Sequence, residues 1–295
     1  MTGSRAPPED GKRYHAEVSL AIGHYRVSAV LAEGAMTRTV LVENTADTVS
    51  GGALHIGKRL QPRMARDPEA RRQLDTEARV LLALAGRGAP RLLDRGTDDH
   101  GPWLVMERLP MHTMRARSAL VTGDRAALVN RIAASAFHAL HVVHEAADLA
   151  GPLAVVHADL GPDNILVGVT DSRVVLIDFG LAHYRDEPAP PARGLRGTPQ
   201  FMAPEVARGE AASVRSDLFS LALGLLHAAC GEPPRTGSQL ASLILQAAEE
   251  PVTPYAERAS RGLTAEVRDA LIAATAFDPE RRPASAREAW RHGSW

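Results

Sequence analysis

The sequence has a single cysteine, Cys230, so no disulfide can form within the chain; a lone thiol suits a reducing compartment, and a cytoplasmic location is expected. It has almost no net charge, since 34 basic and 35 acidic side chains leave −1 over 295 residues. The positive field that drives binding to nucleic-acid backbones is missing, so no nucleic-acid partner is expected. A membrane-length hydrophobic run is also missing. The longest apolar stretch, Leu218 to Cys230, is too short for a bilayer and carries Ser220 and His227, while the N-terminus is polar, with Pro7-Pro8, and unlike a signal peptide. No membrane insertion is expected. There is no internal repeat, and His141, His144 and the other histidines lack metal-ligand spacing.

What is present is 45% apolar residues in 31.5 kDa, enough for two lobes and too little for a third domain. Residues 1–24 read as a tail, partly disordered. From Tyr25 to Leu60, Val, Leu, Ile and Thr alternate with small residues around Gly34 and Gly51-Gly52, which predicts antiparallel strands and turns. Asp67-Pro68-Glu69 supplies an N-cap, a proline at the first helical position and an early acid, predicting a helix to about Ala85 with Leu74, Ala78, Leu81 and Ala85 inward. Strands are expected over 91–94 and 103–107, with Pro110 marking a connection. Helices are expected over 125–145, 218–229, 239–249, 265–276 and 285–290. The fold class is α+β: a small antiparallel β lobe with one helix (25–109), then a larger helical lobe (110–292).

The residues that carry chemistry lie just past the junction. His157-Ala158-Asp159-Leu160-Gly161-Pro162-Asp163-Asn164 is followed by apolar Ile165-Leu166-Val167 and then by Asp178-Phe179-Gly180. Asn164 and Asp178, on loops joined by a short apolar hairpin, can converge on one divalent cation bridging nucleotide phosphates. Asp159 is then placed to orient an attacking hydroxyl and take its proton. Glu77 lies on the apolar face of its helix, because positions 74, 77, 78 and 81 share one side. A carboxylate there needs a partner, and Lys58, ending the strand Leu54-His55-Ile56-Gly57-Lys58, is the candidate.

These segments resemble, in order and spacing, the protein kinases, and most closely the bacterial serine/threonine type. The catalytic segment is similar to HRDLKPxN, with Ala158 for the arginine and Gly161 for the lysine, and Asp178-Phe179-Gly180 matches the DFG metal loop. Leu31 to Val40 resembles the phosphate-covering loop LGxGGMGxVY with one glycine, Gly34, surviving. Gly197-Thr198-Pro199-Gln200-Phe201-Met202-Ala203-Pro204-Glu205 resembles GTxxYMAPE, and Asp278 to Pro283 matches the segment whose arginine pairs with the APE glutamate. The resemblance covers about residues 25 to 292 and implies a two-lobed kinase fold, ATP with Mg²⁺ or Mn²⁺, and a protein Ser/Thr acceptor.

The resemblance also implies roles. Asp159 is the catalytic base, Lys58 and Glu77 the phosphate-anchoring pair, and Thr198 the brace on Asp159. Leu31, Gly34, Thr39, Ile56, Lys58, Met106, Glu107, Leu109, Asn164, Leu166 and Asp178 surround nucleotide, with Asn164 and Asp178 on the metal. Met106 would stand at the rear, with Glu107 and Leu109 offering backbone groups to adenine, although Trp103 to Leu109 reads equally as a buried strand. Asp217 would anchor the catalytic loop, and Arg282 would pair with Glu205. Ile56, where the family carries alanine, narrows the adenine slot.

Without an arginine before Asp159, and with Tyr184 and Thr198 the only hydroxyl side chains between Gly180 and Ala203, activity is expected to be independent of activation-loop phosphorylation. Gly161 removes a cation from the transferring phosphoryl group, so slow turnover is expected, with Arg193 or Arg196 as possible substitutes. A pseudokinase that binds nucleotide or partners is the rival reading. Transfer of AMP or phosphate to a small molecule is a third, although small-molecule phosphotransferases of this type lack the APE segment and its arginine. No attached sensor or anchor is expected, and the oligomeric state is not readable.

Overall fold

The computed structural model describes residues 21–45, 53–185 and 197–291. Its first layer is an antiparallel sheet of β1 (Ala21–Ile22), β2 (Tyr25–Glu33), β3 (Thr37–Asn44), β4 (Leu54–Leu60), β5 (Leu92–Asp98) and β6 (Gly101–Glu107), in the order β1-β2-β3-β4-β6-β5. The sheet starts earlier than the sequence suggests: Ala21 and Ile22 pair with Arg26 and Tyr25, and Ile22 is fully buried, within the stretch assigned to the tail. The expected turn at Gly51-Gly52 lies outside the described residues. Thr39 pairs with Lys58 and Lys58 with Leu104, while Leu41 pairs with Ile56 and Ile56 with Met106. Because alternate residues share a face and opposed residues share it too, Thr39, Leu41, Ile56, Lys58 and Met106 point to one side.

One helix packs on this sheet, α1 (Pro68–Leu84), and its start is the one the sequence specifies: Asp67 accepts the Ala70 N–H at 2.8 Å, with Pro68 next to it. Leu74, Ala78 and Leu81 are buried as expected. Ala85 is not; it is the C-cap, left-handed at φ 49° and exposed, because the chain must turn into Gly86.

The second lobe opens with β7 (Met111–Thr113), α2 (Met114–Ala119) and α3 (Arg125–His144). Then come the small hairpin β8 (Ala147–Asp148) and β9 (Gly151–Pro152), β10 (Ile165–Gly168), β11 (Val174–Leu176), α4 (Pro204–Ala207) and α5 (Val214–Cys230). It closes with α6 (Leu240–Glu249), α7 (Thr253–Ala259), α8 (Ala265–Ala274) and α9 (Ala286–Ala289). One-turn 3-10 helices lie at Pro62–Met64, Phe179–Leu181 and Pro279–Arg281. The sequence pattern did not indicate α2, α7 or the β8–β9 hairpin, each too short for a period to show.

Helices α3 and α5 form the core, with Phe137 and Phe219 fully buried and Trp290 stacked on Phe137 at 5.8 Å. Among the described residues α3 is the one helix long and apolar enough to cross a membrane by length and composition, but 56% of that stretch is buried within the protein. Helix α5 begins about a turn before the expected Leu218. Ser213 and Ser216 cap each other's backbone N–H groups, a reciprocal box with serine where glutamate is usual, so Asp217 lies inside the first turn.

Candidate active site

The β6–β7 connection joins the lobes, and between them lies a cleft of about 580 Å³. Its apolar walls are Leu31, Leu41, Ile56 and Met106 from the sheet and Leu166, Val169 and Ile177 from the second lobe. Thr39, Glu107 and Leu109 also line it, and Lys58, Glu77 and Asp178 stand at its polar end. An apolar slot with a cluster of charges at one end suits a heteroaromatic group carrying phosphates. Of the expected nucleotide-site residues Asn164 does not line this cleft, and neither does Gly34. Its N–H donates to the Thr37 carbonyl at 2.9 Å and its own carbonyl accepts from Gln61, while Arg63 holds Ala35 at 3.0 Å. The short β2–β3 turn therefore spends its polar groups on itself and on the Pro62–Met64 turn.

At the polar end Lys58 Nζ lies 2.7 Å from Glu77 and 2.8 Å from Asp178. Lys58 and Lys12 are the only lysines among the 34 basic residues, so a lysine in mid-sheet is no accident of composition. Burial alone would lower the Lys58 pKa, but Glu77 and Asp178 outweigh it and hold the ammonium above its ordinary value. Burial pushes the Glu77 carboxyl up to about 7, with Lys58 opposing and Asp178 adding to the rise. Asp178 is held below the usual carboxylate range: burial would raise it, and the Lys58 ammonium overrides. Its side chain is half exposed to the cleft, and its backbone is left-handed at φ 64°.

Asp159 lines a separate small pocket with Thr198, Met202 and Asp217, close enough to Asp178 for the two charges to interact. Thr198 donates to it twice, through N–H at 3.0 Å and Oγ1 at 3.1 Å. Asn164 Nδ2 donates to the Asp159 carbonyl at 2.8 Å and lies 3.3 Å from its Oδ2, which orients the amide oxygen of Asn164 away from Asp159. That oxygen and the Asp178 carboxylate are hard oxygen donors on two loops, a set that fits Mg²⁺ or Mn²⁺. Beneath the loop, Asp217 accepts the N–H groups of His157 at 2.8 Å and Ala158 at 2.9 Å. These bonds hold Ala158 left-handed at φ 64°, a conformation costly for a residue with a Cβ. His144 adds a third contact to Asp217 at 2.9 Å, and buried His157 bonds the Ile177 carbonyl at 2.9 Å while lying 4.8 Å from the Phe179 ring. The sequence marks His157 as the first residue of the catalytic segment without giving it a contact, and His144, at a helix end, carries no pattern of its own.

The likeness to known proteins agrees with this geometry. A family model described as the protein kinase domain matches residues 27–294. The chain belongs to the protein kinase family. Serine/threonine-protein kinase PknB of Mycobacterium tuberculosis is 30% identical over 242 residues, 78% of this chain and 37% of that protein. The DNA damage-responsive serine/threonine-protein kinase RqkA of Deinococcus radiodurans is 30% identical over 243 residues, 79% of this chain and 34% of that protein. The kinase domain thus spans little more than a third of the length of these relatives. The crystal structure of the M. tuberculosis PknI kinase domain superposes with a TM-score of 0.61 at 24% identity, covering 94% of this chain and 97% of that one. The kinase fold, a curled antiparallel sheet above a helical lobe, is common to both.

Two arginines of the larger lobe hold the segment from Pro199 to Glu205. Arg282 meets Glu205 in a buried two-pronged pair at 2.6 and 2.8 Å, donates to the carbonyls of Ala276, Arg215 and Phe277, and lies 4.7 Å over Phe219. This is the pairing the sequence implied. Arg235 was not foreseen. It is 4% exposed, and one nitrogen, Nη1, donates to the carbonyls of Pro199, Gln200 and Met202 at 3.1, 3.0 and 2.9 Å. Following Pro233-Pro234, it reads as a surface arginine, and only the fold shows it gripping the loop after Thr198. Gly161 lies against Phe201 and Thr198 with ordinary space at its Cβ position and no positive φ. Arg193 and Arg196 fall outside the described residues.

Proposed function

We propose that this kinase domain transfers the γ-phosphoryl group of ATP to a serine or threonine hydroxyl of a protein. The observation that carries the reading is Asp159: a carboxylate steered by Thr198 and Asn164, whose charge interacts with Asp178 of the Lys58, Glu77 and Asp178 array that stands in the cleft. The apolar slot between Leu31, Ile56, Met106 and Leu166 takes the adenine, and Lys58, braced by Glu77, takes up phosphate oxygens. Asn164 and Asp178 hold the divalent ion, which when bound neutralises charge on the phosphates. Asp159 accepts the proton of the acceptor hydroxyl, and the loop gripped by Arg235 is the seat for the acceptor chain.

The site needs no phosphate on its activation segment: Ala158 offers no guanidinium to one, Thr198 is committed to Asp159, and Tyr184 is buried beneath Arg79 at 5.0 Å. Phosphatase treatment is expected to leave activity unchanged. The decisive experiment gives the purified protein γ-labelled ATP, Mn²⁺ or Mg²⁺ and a basic protein acceptor, beside Asp159→Asn. Label on the acceptor that vanishes in the variant supports the reading. Gly161, which leaves no cation on this loop, favours a pseudokinase instead. In that case ATP raises the melting temperature and no label moves.

A further inference from the structure

The hairpin between α3 and the catalytic loop is built oddly. Its feet are in the core, with Ala146 at 1% and Leu153 at 0% exposure and the Leu153 N–H donating to the Ala146 carbonyl at 2.8 Å. Its tip buries nothing: Leu149 is fully exposed. An arch without apolar cover is held by its polar contacts, and these converge on Asp148. The Ala150 N–H donates to Asp148 Oδ1 at 2.8 Å, closing an Asx turn that fixes the carboxylate's direction, and Gly151 takes the φ of 114° that so tight a turn demands. Two arginines from elsewhere in the molecule then meet this carboxylate. Arg79 of α1 approaches Oδ2 at 3.2 Å, and Arg185, in the segment after Asp178, approaches Oδ1 at 3.4 Å. Arg185 also donates to the Pro152 carbonyl at 2.7 Å, and its N–H to the Leu153 carbonyl at 2.7 Å.

Arg79 sits two residues from Glu77, and Arg185 seven residues from Asp178, so one fixed carboxylate ties together the carriers of both partners of Lys58. We propose that Asp148 is a positioning residue: it ties α1 and the start of the activation segment to the larger lobe in the arrangement that closes the Lys58–Glu77 pair. The inference rests on the kinase reading for its effect on turnover, while its effect on α1 stands without it. Exposed ion pairs are usually weak because two long side chains must be ordered. Here the hairpin has already ordered the carboxylate, and Arg79 is further held over the Tyr184 ring at 5.0 Å. The backbone bond from Ala150 and the two arginines keep Asp148 below the usual carboxylate range and so ionised.

The test is hydrogen exchange of α1 amides, with and without an ATP analogue, together with kcat/KM. It uses the whole chain carrying Asp148→Asn, Asp148→Glu, Arg79→Gln or, as a control, Leu149→Ala. Asp148→Asn and Arg79→Gln are expected to speed exchange over Gln73–Leu81, and to lower kcat/KM, on the order of three- to tenfold. Asp148→Glu and Leu149→Ala should stay near the parent, with α3 and α5 exchange unchanged in all four. Parent-like α1 exchange in Asp148→Asn would overturn the proposal. So would an equal rise across α3 and α5, which marks general loosening. If the parent shows no Asp159-dependent turnover, the kinase reading fails and the exchange result still decides the role of Asp148.

Discussion

Asp159 is enclosed, and burial pushes its carboxyl up to about 6; the charge of Asp178 adds to the rise, while His157 and the two Thr198 bonds oppose it. A base must be ionised to accept a proton, so kcat/KM should fall as pH drops through about 6, far above the ordinary aspartate range. Thr198→Val removes one bond that favours the ionised form and should move this limb upward; a limb that stays near 4 in both proteins refutes the assignment. Gly161 supports a second prediction. A Cβ there would meet Phe201 at 3.5 Å and Thr198 at 3.9 Å, ordinary contacts, so Gly161→Lys should fold normally. Restoring a cation beside the transferring group should raise kcat on the order of ten- to a hundredfold with little change in nucleotide affinity. An unchanged kcat in steady-state assays would mean that another cation already serves. The residues legible in the sequence were those fixed by spacing within a motif, such as Asp159, Asn164 and Asp178. Gly34 stands outside the cleft lining, and its identity as a glycine does not reveal that its hydrogen bonds go to Thr37 and Gln61.

Elements carry information differently, because a helix boundary is a competition between caps. Helix α1 was read correctly at its start from Asp67 and Pro68, whereas α5 was begun too late because Ser216 stands where a glutamate would have signalled the box. The extra turn matters: it sets Asp217 inside α5, where it accepts from the catalytic loop, and brings the Arg215 carbonyl of the same turn to Arg282. The join between α4 and the Pro279–Arg281 turn is the Glu205–Arg282 pair, with both side chains at 5% exposure or less. Arg282→Met leaves a buried carboxylate with no counter-ion and should cost about 3–5 kcal/mol in urea unfolding. Adding Glu205→Gln should recover part of that loss, because the stranded charge is then gone. If the single and double variants unfold alike, the penalty comes from packing against Phe219 and not from charge. The β8–β9 hairpin and the grip of Arg235 were not legible at this scale at all. Each acts through contacts far away in sequence, and neither a two-residue strand nor one arginine has a periodicity to betray it.

For the molecule as a whole, the cleft that makes a site also makes an electrostatic liability. Glu77, raised to about 7, and Asp159, raised to about 6, both titrate above their unfolded values. Groups of this kind contribute stability that is complete below pH ~4 and is lost as pH rises through 6 and 7. Asp178 and Asp217 are depressed and act oppositely, contributing above the unfolded aspartate range and losing that contribution only in strong acid. Glu77 and Asp159 should therefore make the stability of the nucleotide-free protein decline between about pH 4 and 7. A thermal melt series should register this as a drop of several degrees, at ~2–4 °C per kcal/mol for a chain of this size. Lys58→Met removes the cation that opposes the rise of Glu77, so the decline should steepen. ATP with a divalent ion should flatten it, because the bound ion favours the ionised carboxylates and a ligand that selects the folded state adds stability in proportion to its affinity. A melting temperature that climbs from about pH 4 to 7 without nucleotide would show that the Lys58, Glu77 and Asp178 array is fully ionised throughout. The cleft would then carry no stored electrostatic cost for nucleotide to relieve.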